Sequence, residues 1–126
     1  MNELPANVKQ GLRAFKQGEY FSAHEFFEDA WRETPDSSRE FFRSLLQISG
    51  GFYRLTEDRP RAAKKFFHRA LHWLQFFSNN HMGMDVENIR SLLTQLIDDI
   101  DAGQPSKDII KQHADQIAWE SQGHST

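Results

Sequence analysis

Gly11-Leu12-Arg13-Ala14-Phe15-Lys16-Gln17-Gly18-Glu19-Tyr20-Phe21-Ser22-Ala23-His24-Glu25-Phe26-Phe27-Glu28-Asp29-Ala30 returns in outline forty residues later as Gly51-Phe52-Tyr53-Arg54-Leu55-Thr56-Glu57-Asp58-Arg59-Pro60-Arg61-Ala62-Ala63-Lys64-Lys65-Phe66-Phe67-His68-Arg69-Ala70. The positions that coincide are small or apolar, as in Gly11 and Gly51, Ala23 and Ala63, Phe27 and Phe67, and Ala30 and Ala70. Such a pattern repeats a helical hairpin. The chemistry-bearing residues do not repeat: His24, Glu25 and Glu28 face Lys64, Lys65 and His68 in the second copy. The repeat therefore accounts for scaffold and leaves those three residues unexplained.

Outward from this core the apolar spacing stays helical, and no run alternates with the period of two expected for a strand. A first helix is expected from near Pro5 to Gly18, turning Val8, Leu12 and Phe15 inward. The second should run over 20–33 and stop at Thr34-Pro35-Asp36-Ser37, because proline biases its predecessor away from helix. The third, over 38–56, has the widest apolar face and should be the central element, with Gly50-Gly51 permitting close approach of a neighbour. The fourth is expected over 61–77 and a loop over 79–84. A fifth helix, capped by Asp85, should carry a stripe from Val86 to Ile100 and close at Gly103. Ile109, Ile110, Ile117 and Trp119 suggest a short docked helix ahead of a tail fraying from about residue 120. The fold class is thus all-α: a compact bundle of about five helices built on two packed hairpins, in one domain spanning 1–126.

Composition narrows the function. Eleven Phe and three Trp supply an aromatic core despite modest apolar content. Fifteen Lys and Arg against eighteen Asp and Glu are interspersed and give a net charge of −3, so neither nucleic acid nor an anionic membrane is the expected partner. No cysteine is present, which removes disulfides, thiol catalysis and thiolate metal sites. With no signal-like or spanning segment recognisable, a cytoplasmic location is the expectation.

His24 and Glu28 are one helical turn apart and can meet at a point, where a divalent metal or a shared proton could sit. With about 100° per residue and Ala23 as origin, His24 falls near 100° and Glu28 near 140°, on the margin of the buried face beside Trp31. Glu25 and Asp29 point to water. The plainer reading is a helix-surface pair that also hydrogen-bonds a neighbouring helix. A zinc-protease signature would need a second histidine where Glu28 stands, so that mechanism is not indicated. His68 and His72 repeat the four-residue spacing but should be ordinary surface histidines. Gln47 and the flanking Arg43 and Arg54 could add an amide or an anion-binding guanidinium to a cleft, or lie on a solvated face.

The run Phe15-x-x-Gly18-Glu19-Tyr20-Phe21-x-Ala23-His24-Glu25-x-x-Glu28-x-x-Trp31, with Leu46-Gln47-Ile48 and Phe52-Tyr53 after it, resembles the bacterial and archaeal family catalogued as domain of unknown function 309. The resemblance covers about residues 8 to 78 and is sharpest in the HxxxExxW pattern of His24, Glu28 and Trp31. It implies a small helical bundle, with metal binding suggested for that pattern, and draws attention to Tyr20, Glu25 and Gln47 beside it. A histidine is frequent in that family near the end of the third helix, where this chain has Tyr53-Arg54, so a third ligand from that helix is not implied. The second hairpin-like resemblance, through Ala14, Phe15, Gly18, Tyr20, Ala23, Phe27, Ala30 and Pro35, is to a tetratricopeptide repeat. Such repeats recur at about 34 residues and need about three copies, which this chain does not provide. Two function classes follow: a site at His24 and Glu28 holding a divalent metal such as zinc, manganese or iron, with hydrolysis as a further step; or a non-catalytic module that binds a protein partner or a second copy, its motif structural.

Overall fold

The computed structural model describes residues 3–117, 119 and 120. Its elements run α1 (Ala6–Lys16), α2 (Tyr20–Glu33), α3 (Ser38–Thr56), α4 (Pro60–Leu74), β1 (Asn80–His81), β2 (Met84–Asp85), α5 (Val86–Asp101) and α6 (Ser106–His113). Helix α3 is the hub, packing against α2, α4 and α6. The bundle is all-α apart from the two short strands, and the helical C-terminal segment makes six helices among the described residues, where about five were expected.

The two hairpins match in atomic detail. Gly18 and Asp58 both have positive φ, 80° and 56°. After α1, Gly18 N–H donates to the Phe15 carbonyl and Glu19 N–H to that of Ala14; after α3, Asp58 N–H donates to Leu55 and Arg59 N–H to Arg54. This pair of bonds satisfies the last carbonyls of a helix and requires the left-handed residue. Asp is less suited to that conformation than Gly, and here its carboxylate is held by the Ser106 hydroxyl at 2.9 Å, which ties the start of α6 to the turn.

The ring of Phe27 lies on Gly11 and that of Phe67 on Gly51: an added Cβ would sit 2.5 Å from a Phe27 ring carbon and 2.3 Å from the same atom of Phe67. Each hairpin is closed by a phenylalanine over bare backbone. Between them Phe15, Tyr20 and Phe52 form an aromatic cluster with centroids 4.9–5.2 Å apart, and Trp119 meets Phe15 edge-on at 4.9 Å. Fully burying one such side chain stabilises the fold by about 1.5–3 kcal/mol.

Two boundaries differ from the sequence reading. Helix α4 stops at Leu74 rather than near 77, because Arg90 of α5 donates Nη1 to the Leu74 and Phe77 carbonyls at 3.0 and 3.2 Å and Nη2 to Asn79 Oδ1. The guanidinium thus bonds the last carbonyl of the helix together with that of Phe77 in the tight turn after it. The expected loop over 79–84 contains a miniature antiparallel ladder pairing Asn80 with Asp85 and His81 with Met84, turned by Met82 and Gly83 at φ 52° and 80°. Two residues per strand are too few to show a period-two pattern. Asp85 caps α5 as expected, accepting from Asn88 N–H at 3.0 Å. The C-terminal segment docks through Ile109, His113, Ile117 and Trp119. The tail expected to fray from about 120 lies outside the described residues beyond that position.

Replacing Gly51 by Ala sets a helix-propensity gain of about 1 kcal/mol against an overpacking cost of about 1–3 kcal/mol. Phe67 is fully buried and packed on Phe52, so it has no room to yield. Gly51→Ala and Gly11→Ala should both lower the thermal midpoint. A midpoint equal to or above the parent's in calorimetry would show that these rings can move.

Candidate functional site

Helices α2 and α4 flank α3, and on one side of this trio α3 presents Arg43, Gln47, Gly50 and Arg54 between His24, Glu28 and Trp31 of α2 and Phe66, Arg69 and Trp73 of α4. His24 is half-buried at one end of the groove, stacked on Phe21 with an interplanar angle of 12°. Its ring faces a cavity of about 70 Å³ lined by Phe21, Gly50, Tyr53, Arg54 and Phe66. Gly50 makes the cavity: any side chain there would meet the Phe66 ring at 2.8 Å. Among the described residues neither ring nitrogen of His24 has a hydrogen-bond partner in the protein. Burial lowers its pKa below the ordinary 6.5, while Glu28 and then Glu25 oppose that shift and Arg54 reinforces it. The balance favours a neutral imidazole at pH 7.

Glu28 is near enough for its charge to act on His24, but its carboxylate accepts from Arg32 Nη2 at 3.0 Å, one turn further along α2. Trp31 lies two turns from His24, about 10 Å along the axis. Arg39 and Arg43 stack on its ring at 4.7 and 5.3 Å, Arg43 also covers Trp73 at 4.5 Å, and Arg39 Nε donates to the Trp31 carbonyl at 2.9 Å. This stack links α2, α3 and α4, and each cation–π contact contributes about 0.5–2 kcal/mol depending on its exposure. Trp31 Nε1 and Gln47 Oε1 are buried without hydrogen bonds in this stretch. Glu25 is exposed. Tyr20 is away from the groove, buried edge-on to Phe15, with its hydroxyl pKa raised by burial and by Asp115. His68 and His72 are exposed, with His72 edge-on to Trp73 and Phe76.

The motif residues thus share one groove edge without converging on one atom. Among the described residues no group of three or more His, Asp or Glu side chains could hold a metal ion. His24 and Glu28 alone do not fit a closed tetrahedral site.

Residues not anticipated surround His24. Phe21, 54% exposed, packs on Tyr53 at 5.4 Å and forms one wall. Next to the cavity, and sharing Arg54 and Phe66 with it, is a broader concavity of about 700 Å³ lined also by Arg59, Arg61, Lys65 and Arg69. Charges interspersed along the sequence therefore converge in space. Arg61, Lys65 and Arg69, four apart on a helix, were the available signal; the turn that adds Arg59 was not.

His81 is a second partly buried histidine, its Nε2 3.0 Å from Ser38 Oγ and its ring 4.8 Å from both Phe41 and Phe77. Burial lowers its pKa and Asp36 opposes the shift. Asp36 accepts from the Ser38 backbone N–H, and the amides of Arg39 and Glu40 are bonded to the carbonyls of Asp36 and Ser37. The Ser38–His81 contact ties the strand pair to α3.

Residues 8–66 match the family described as "Domain of unknown function (DUF309)". Over this segment, just under half of the chain, the sequence is thus similar to the DUF309 family. The DUF309 match spans α1 to α3 and the first half of α4, and so contains His24, Glu28, Trp31 and the walls of the His24 cavity. The chain is also similar to an "Uncharacterized protein" of Aquifex aeolicus (strain VF5), at 22% identity over 99 residues, which is 78% of this chain and 30% of that relative. No helix among the described residues is long and apolar enough to cross a membrane.

Because burial lowers the folded pKa of His24, protonation costs stability: this contribution is present above about pH 6.5 and is lost as pH falls below it. In an NMR titration His24 should have its midpoint below 6.5. Glu28→Gln should move it further down and Arg54→Ala up. A midpoint unmoved by Glu28→Gln would mean that the carboxylate does not act on the imidazole.

Proposed function

We propose that this protein is a small-ligand-binding module that recognises part of its ligand through His24 in the groove between α2 and α4, and carries out no chemistry of its own. The observation behind this reading is an imidazole without a hydrogen-bond partner among the described residues, facing a cavity walled by aromatic rings and a bare glycine. Binding sites combine apolar walls with a few placed polar groups in this way. About 70 Å³ admits a few waters or one small group, so the rest of a ligand would lie along the groove. Trp31 with Arg39 and Arg43, and Glu28 with Arg32, shape the edge from which His24 projects.

Divalent-metal binding is the second reading, favoured by the Glu28 charge acting on His24. The chain would supply His24 and Glu28, with Glu28 released from Arg32, and other ligands would come from water or a second copy. Any hydrolytic role would depend on that set being completed.

Fragment screening by amide chemical-shift perturbation tests the first reading. Hits should move Phe21, Gly50 and Tyr53, and His24→Ala should weaken them about tenfold, which is ~1.4 kcal/mol, while leaving the fold intact. Fragments that bind the variant equally well would make the motif structural. Calorimetry with zinc and manganese tests the second: saturable binding lost in both His24→Ala and Glu28→Ala would replace the first reading with a metal site.

A further inference from the structure

The concavity beside the His24 cavity brings together Arg54, Arg59, Arg61, Lys65 and Arg69. Glu57 is the carboxylate that pairs here, meeting Arg54 Nη1 at 2.7 Å and Arg59 Nη1 at 3.7 Å. Among the described residues Arg61, Lys65 and Arg69 have no ion-pair partner. A chain of net charge −3 has concentrated an excess of positive charge on one concave surface.

The guanidiniums are arranged as well as numerous. Arg54 and Arg69 approach the Phe66 ring from α3 and α4, with Cζ at 5.9 and 5.5 Å from its centroid. Phe66 is in turn seated on Gly50, where a Cβ would come within 2.8 Å of the ring. Stacking spends part of the side-chain freedom before any ligand arrives, and a planar fork then offers paired donors suited to phosphate oxygens. The concavity also takes in Pro60, Arg61 and Ala62 of the first turn of α4, a helix with no side-chain cap at its N-terminus. Its free first-turn amides add to the same positive field.

We propose that this concavity is an anion site that binds the phosphate group of a small phosphorylated ligand, whose uncharged part enters the adjoining His24 cavity. The second half rests on the ligand-binding reading of His24; the first does not. The shared wall of Arg54 and Phe66 sets the geometry, because a phosphate held by Arg54 and Arg69 lies at the mouth of a small aromatic pocket with an imidazole at its side. Inorganic phosphate and a phosphate monoester offer the same group, and only the monoester has something to place beside His24.

The test is calorimetry and amide-shift titration of the full chain at low ionic strength with inorganic phosphate and with phenyl phosphate. Inorganic phosphate should bind saturably and shift residues 59–69. Lys65→Ala with Arg69→Ala should reduce its affinity at least tenfold, and Lys65→Arg should retain it. Phenyl phosphate should bind more tightly by about tenfold, and that gain alone should vanish in His24→Ala. Equal affinities for the two probes would leave a site for free phosphate and overturn the joint ligand. No saturable phosphate binding, or binding unchanged in the double variant, would overturn the anion site even where fragments still bind beside His24. Steeply salt-dependent binding of a single-stranded oligonucleotide, without saturation by inorganic phosphate, would assign the patch to a nucleic-acid backbone and overturn the small-ligand proposal.

Discussion

A phenylalanine ring laid on a glycine of the preceding helix is the contact on which this bundle depends. It occurs at matched positions in the two hairpins, Phe27 on Gly11 and Phe67 on Gly51, and it sets how near the helices can approach. With that separation fixed, the left-handed turns at Gly18 and Asp58 follow, since a three-residue connection joins two close helices only if the chain reverses sharply. Phe15, Tyr20 and Phe52 then fill the space between the hairpins, and Trp119 covers them from the C-terminal side.

The groove develops where the duplication fails. Gly50 has Gln10 as its counterpart, and its phenylalanine, Phe66, has Phe26. In the first hairpin a side chain stands at that position; in the second a bare backbone lets Phe66 settle onto α3, and the His24 cavity opens beside it. One glycine beyond those that packing requires thus separates a scaffold position from a site position. The same ring, because it is held, becomes the surface on which Arg54 and Arg69 stack.

This division explains what could be read from the sequence. Helices α2 and α3 were legible to their ends because Gly18 and Pro35 punctuate them and their apolar faces are wide. The end of α4 was not, because Arg90 from sixteen residues downstream bonds the final carbonyl of the helix, that of Leu74, and local propensity carries no record of such a partner. At the site, the margin position of His24 followed from helical phase alone. The engagement of Glu28 did not: spacing allows both His24 and Arg32 as neighbours, one turn away on either side, and the side chain selects Arg32. Tyr20 sits beside the motif in sequence and belongs to the core in space, since its phase turns it toward Phe15.

The competition between a cation and an anion at this groove comes down to which donors are already committed. A metal at His24 would draw on Glu28, which is engaged with Arg32, and among the described residues no further carboxylate or imidazole completes a group of three. An anion meets five cationic side chains restrained chiefly by Glu57, two of them oriented by one aromatic ring. Burial also bears on the choice. The desolvation that keeps His24 neutral leaves it able to donate or accept a hydrogen bond, and a neutral donor beside a phosphate avoids burying a second charge in an aromatic pocket. The charged contacts can remain in the open concavity, where water screens their cost, while the small pocket discriminates by shape and by a single hydrogen bond. Affinity and selectivity are then assigned to adjacent surfaces joined at Arg54 and Phe66, and a change at either residue would act on both.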